Sequence, residues 1–69
     1  MKITYDKKSD AVYIYVSEAK VAKTIPVNEN VIVDLDRAGK LVGVEVLSAS
    51  SQMSKKSISN FAMYQPTFA

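Results

Sequence analysis

The chain has 69 residues, 48% of them apolar and 23% charged, with a net charge of +2. That length allows one domain, and the composition excludes wholesale disorder. The lack of Cys and His excludes disulfides, thiolate chemistry and an ordinary zinc centre.

A domain this short buries only about 60% of the surface its unfolded chain exposes. Oligomerisation is the remaining common source of extra stability, so a homodimer is expected. The basic residues are scattered, with Lys7-Lys8 and Lys55-Lys56 as isolated pairs, which argues against nucleic acid as a partner. Met1-Lys2 leads directly into a strand pattern, so no signal peptide is expected. The longest apolar run, Ala11 to Val16, is far too short to span a bilayer as a helix. No membrane association and a cytoplasmic location are the simplest expectations.

In chain order, Lys2 to Tyr5 alternates polar and apolar residues, which predicts a strand with Ile3 and Tyr5 on one face. Asp6-Lys7-Lys8-Ser9-Asp10 is a polar loop whose Asp side chains suit backbone capping within the turn. Ala11 to Val16 combines aromatic and β-branched residues and predicts a second strand, antiparallel to the first. Val12, Ile14 and Val16 share one face of it, and Ala11, Tyr13 and Tyr15 the other. The tyrosine face is expected to be half wet or to form a dimer contact.

Ser17 to Lys20 is a turn, and Val21 to Val27 a third strand. Pro26 cannot donate to a ladder, so this strand is an edge or ends there. Asn28-Glu29-Asn30 is a turn, and Val31 to Leu35 and Leu41 to Leu47 are strands four and five. A loop over Asp36 to Gly39 pairs Leu35 with Lys40, Val33 with Val42 and Val31 with Val44. That register gathers Val31, Val33, Val42, Val44 and Val46 on one face, and Gly39 supplies a left-handed residue.

After Leu47 the chain turns small and polar. Met53, Ser57, Phe61 and Tyr64 recur at helical spacing, predicting a helix from about Ser51 to Met63 with a serine N-cap. The expected fold is a single α+β domain over 1–69. Residues 1–47 form a small antiparallel β-meander of four or five strands, 48–64 a Ser-rich connection and short C-terminal helix, and 65–69 a tail. The helix is expected to cover the valine face, burying Val12, Ile14, Val31, Val33, Val42, Val44 and Val46 with Met53, Phe61 and Tyr64.

Candidate sites are few. Asp34, Asp36, Gly39 and Glu45 take positions 1, 3, 6 and 12 of a calcium-loop pattern, but Ala38 fills position 5 and the flanks favour strands over helices. Acids that cap a turn and line an open sheet face are the simpler reading. Asp34, Asp36 and Glu45, with Tyr13 and Tyr15, are therefore assigned to a partner surface suited to a basic protein, with no catalytic, cofactor or metal residue. The competing reading uses the same three acids in a small ligand- or metal-binding protein or an enzyme. Tyr5, Tyr13 and Tyr15 could stack on bases, but they lack a basic surround.

Three segments carry a family resemblance: Ile3-Thr4-Tyr5-Asp6, then Ser9-Asp10-Ala11-Val12-Tyr13-Ile14, then Val33-Asp34-Leu35-Asp36 through Gly39 to Val42-Gly43-Val44-Glu45-Val46-Leu47, running into Ser48-Ala49-Ser50. Their order and spacing resemble the small bacterial domain-of-unknown-function family numbered 2283, over about residues 1 to 50. The resemblance implies a compact, mainly antiparallel β-domain. It brings no established enzymatic activity and no catalytic residues. Some members look like partners of neighbouring toxin-like ribonuclease genes, which implies an antitoxin-type role and a toxin-like protein partner. Together these readings predict a non-enzymatic protein-interaction module. From Gln52 onward the chain has no recognisable counterpart in the family.

Overall fold

The computed structural model describes residues 1–58. Five antiparallel strands are followed by short helical segments: β1 (Lys2–Asp6), β2 (Ala11–Tyr15), β3 (Lys23–Pro26), β4 (Val31–Leu35), β5 (Leu41–Val46) and α1 (Ala49–Gln52). The α+β class and the antiparallel sheet agree with the alternation in the sequence. The spatial order is β1-β2-β5-β4-β3, so meander connections are confined to β3–β4–β5. β5 lies between β2 and β4, and the last four strands form a Greek key. The physical reason lies in the edges. β3 holds Pro26, which has no N–H to donate, and all four of its residues are exposed. β5, rich in valine and free of proline, can pair on both sides.

Cross-strand register sorts the side chains into two faces. Ile3 pairs with Ile14, Tyr5 with Val12, Val12 with Val46, Ile14 with Val44, Val33 with Val44 and Val31 with Val46. These residues form an apolar face. Lys2 pairs with Tyr15, Thr4 with Tyr13, Tyr13 with Glu45, Tyr15 with Gly43, Asp34 with Gly43 and Thr24 with Asp34. They form a polar, tyrosine-bearing face.

The β4–β5 hairpin corrects the expected register. Asp36 N–H donates to the Lys40 carbonyl at 2.8 Å, and Gly39 N–H to the Asp36 carbonyl at 3.0 Å, closing a tight loop over 37–39. Gly39 has φ +83°, the left-handed residue such a three-residue loop requires. Leu35 therefore pairs with Leu41, and an irregularity follows, after which Asp34 pairs with Gly43 and Val33 with Val44. Val42 becomes the extra residue of a bulge. The expected Val33–Val42 and Val31–Val44 pairs are thus displaced by two residues, and a shift of two keeps every valine on its face. The Val42 carbonyl accepts from the N–H groups of Val16 and Ser17 at 2.8 and 3.1 Å.

The predicted helix begins earlier and is broken. α1 opens at Ala49, and Met53 is extended at φ −130°, ψ 149°. A second helical turn covers 55–58. Serines compete with the helical backbone for hydrogen bonds, which shortens helices in such a run. Ser54 caps the second turn, its Oγ accepting from Ser57 N–H at 3.1 Å. Ser48 sits at the N-cap of α1 but makes no side-chain cap bond. Among the described residues, Val12, Val42 and Ala49 are the buried apolar ones, whereas Ile14, Val31, Val33, Val44, Val46 and Met53, also expected in the core, stay partly exposed. Among the described elements, extensive contacts run only between neighbouring strands. The predicted helical residues beyond 58, with Phe61 and Tyr64, and the 65–69 tail lie outside the described residues.

Candidate functional site

The polar face is organised around one carboxylate. Tyr13 on β2 reaches over β5 to β4, where its hydroxyl donates to Asp34 Oδ2 at 2.6 Å. Thr24 Oγ1 on β3 donates to Asp34 Oδ1 at 2.8 Å from the other side. Asp34 thus ties together strands on both sides of it, each of its oxygens accepting a hydroxyl. Gly43 makes this possible: a Cβ there would lie 2.6 Å from Tyr13 Cζ, inside the ring's own volume. The bulge places Gly43 opposite Asp34, which opens the path for the tyrosine.

Donating to a carboxylate binds the phenol proton. The bond to Asp34, then burial, then the charge of Asp34 raise the Tyr13 pKa from 10.0 to about 12. Tyr15 packs edge-on against Tyr13, with ring centroids 4.4 Å apart and planes at 67°. Lys2 Nζ lies 5.7 Å from the Tyr15 ring centroid. Tyr15 is 44% exposed.

Of the residues proposed for a partner surface, the structure brings Asp34, Glu45, Tyr13 and Tyr15 onto one face. Asp36 lies in the β4–β5 loop, where its Oδ1 accepts from the N–H groups of Ala38 and Lys40 at 2.9 and 2.8 Å, so this carboxylate closes the hairpin loop. The base-stacking trio is also split, because Tyr5 lies on the apolar face. Thr24, Thr4, Lys2 and Gly43 joined the polar face without being singled out from sequence. Strand alternation alone could have assigned them, had β2 been paired with β5. Among the described residues, no group of three or more His, Cys, Asp or Glu side chains comes together to hold a metal.

A second polar cluster sits where the β1–β2 loop meets α1. The Asp10 carbonyl accepts from Ala49 N–H at 2.8 Å. Its carboxylate accepts from Ser50 N–H at 3.1 and 3.2 Å and from Ser50 Oγ at 2.6 Å. Tyr5 donates to the same carboxylate at 2.7 Å. Asp10 therefore caps α1 from a distant loop, a larger role than the turn-capping expected of it, and adopts φ +54° to do so. The bonds from Ser50 and then Tyr5 hold its carboxyl below the usual carboxylate range, and the same contact raises Tyr5. Asp6 does cap its own turn, accepting from Lys8 N–H at 3.0 Å.

These features define a small antiparallel β-domain whose four aspartates hold strands and loops together. The chain belongs to the family described as "Protein of unknown function (DUF2283)", which matches residues 2–50. It is also similar to the uncharacterized protein MJ0789 of Methanocaldococcus jannaschii, 38% identical over 50 residues, which are 72% of this chain and 42% of that protein. The chain thus spans less than half the length of that relative. No solved structure matches it. None of the described helices is long and apolar enough to cross a membrane.

Proposed function

We propose that the chain is a cytoplasmic, non-enzymatic protein-interaction module that works as a homodimer and engages a toxin-like protein in the manner of an antitoxin. The observation that carries this reading is the sheet itself. Apolar residues of four strands share one face, where Val12 is buried but Ile3, Tyr5, Ile14, Val31, Val33, Val44 and Val46 stay partly exposed, and no described element packs extensively across it. A sheet with an apolar face is stable in water when a second layer covers it. The opposite face presents Tyr13 and Tyr15 beside Glu45, and tyrosine is enriched in protein interfaces. The ligand-, metal- or enzyme-based alternative draws less support, because Asp34 and Asp36 already accept hydrogen bonds within the fold.

The test is co-purification from the native host, with partners identified by mass spectrometry and then rebuilt from purified components. A Tyr15→Ser, Glu45→Lys variant alters the polar face without touching the Asp34 bonds. A stoichiometric partner whose affinity falls in this variant supports the module. Catalytic turnover by the purified chain alone would overturn the non-enzymatic reading.

A further inference from the structure

The sheet has two edges, β1 and β3, and they differ in chemistry. β3 contains Pro26, which blocks continued hydrogen bonding. β1 is Lys2-Ile3-Thr4-Tyr5-Asp6, all five residues pair with β2 on the inner side, and it contains no proline. Its opposite charges stand at opposite ends, both exposed and both on the polar face.

We propose that β1 is a homodimer interface, pairing antiparallel with β1 of a second copy about a two-fold axis through Thr4. This rests on the homodimer reading above and specifies its surface. A two-fold axis normal to the sheet keeps each face on its own side, so polar-face residues meet polar-face residues. Centred on Thr4, the pairing sets Lys2 against Asp6 of the second copy at both ends. It sets Ile3 against Tyr5 twice on the apolar face, and Thr4 against Thr4 in the middle. Opposite charges, aromatic with β-branched side chains, and Thr with Thr are the favourable antiparallel neighbours. Moving the axis by one residue shortens the ladder, sets one of the two charged residues against Thr4 and leaves the other unpaired, so that neither meets an opposite charge. The charges therefore select one register, and the self-complementary surface closes on itself as a two-fold interface must. The two sheets would join into one, extending the apolar face across the seam.

The full-length chain provides the test. It has no native cysteine, so Thr4→Cys gives one thiol per copy, and facing Cα atoms in an antiparallel pair lie about 4.5–5.5 Å apart, within reach of a disulfide. Mild oxidation should cross-link this variant quantitatively, whereas Lys20→Cys, in the β2–β3 connection, should cross-link only by slow collision. In sedimentation equilibrium, Lys2→Glu should weaken the dimer about tenfold, since two exposed ion pairs become two like-charge pairs. Asp6→Lys should weaken it likewise, and the double swap should restore it. Circular dichroism shows whether each variant is folded. Lys2→Glu is the safer single variant, because Asp6 also caps its own turn. A dimer that survives both single substitutions, with no preferential Thr4→Cys cross-link, overturns the β1 pairing and leaves the homodimer standing. A monomer up to millimolar concentration overturns both.

Discussion

The Tyr13 hydroxyl and the Asp34 carboxylate, 21 residues apart in the chain, meet at 2.6 Å across a strand that belongs to neither. The strand between them contributes a glycine at the crossing point, and Thr24 holds the other carboxylate oxygen. One carboxylate thus links β2, β3 and β4, and β5 is held beneath the tyrosine ring.

Tyr13→Phe keeps the ring over Gly43 and removes only the bond to Asp34. A partly exposed bond to a charged acceptor should contribute about 1 kcal/mol to stability. Asp34→Asn should cost a similar amount, and the two losses should overlap. A double-mutant cycle by urea denaturation should return a coupling of about 0.5–1 kcal/mol. A coupling of zero would show that the contact does not persist in solution.

Gly43→Ala should be destabilising by about 1–3 kcal/mol, as is usual when extra volume is forced into a packed site. The added methyl group collides with the tyrosine ring rather than with backbone. Its cost should therefore fall sharply when Tyr13→Ala is introduced first. Equal costs in both backgrounds would place the strain elsewhere.

The Asp10 carboxylate should hold α1 against the sheet. Asp10→Asn tolerates the left-handed backbone but removes the charge that accepts from Ser50. Hydrogen exchange at the Ser50 amide should quicken in this variant, while exchange in β4 and β5 stays near the wild-type rate. Unchanged protection at Ser50 would show that the cap does not operate. Tyr5→Phe should have a smaller effect in the same direction, because it removes one of several donors to the carboxylate.

Asp10 and Tyr13 each make stability depend on pH, at opposite ends of the range. The Asp10 carboxyl is lowered in the folded chain, so its contribution is present above the unfolded value of 3.8. That contribution is lost as pH falls below 3.8 and through the lower folded value. The Tyr13 phenol is raised from 10.0 to about 12, so its contribution is whole below pH 10. Between pH 10 and about 12 the unfolded chain loses this proton and the folded chain keeps it, so stability declines. Denaturation midpoints across pH 9–12 should fall in the wild type and fall less steeply in Tyr13→Phe, where the raised Tyr5 phenol still contributes a slope. A slope left unchanged by the substitution would assign the loss to another group.

Local features were legible in the sequence because they depend on neighbours along the chain. Alternation and β-branched or aromatic composition located all five strands, Pro26 marked an edge, and Gly39 marked the residue of positive φ. The face shared by Val31, Val33, Val44 and Val46 followed from parity, which survives a register shift of two. The order of the strands did not follow, since alternation says which face a residue occupies and nothing about which strand lies beside it. Tertiary structure alone decided that β5 sits between β2 and β4, that Val42 bulges, and that Gly43 clears a path from Tyr13 to Asp34. It alone carried Asp10 to Ser50, 40 residues away, because a carboxylate in a loop can satisfy any helix start that the fold brings to it.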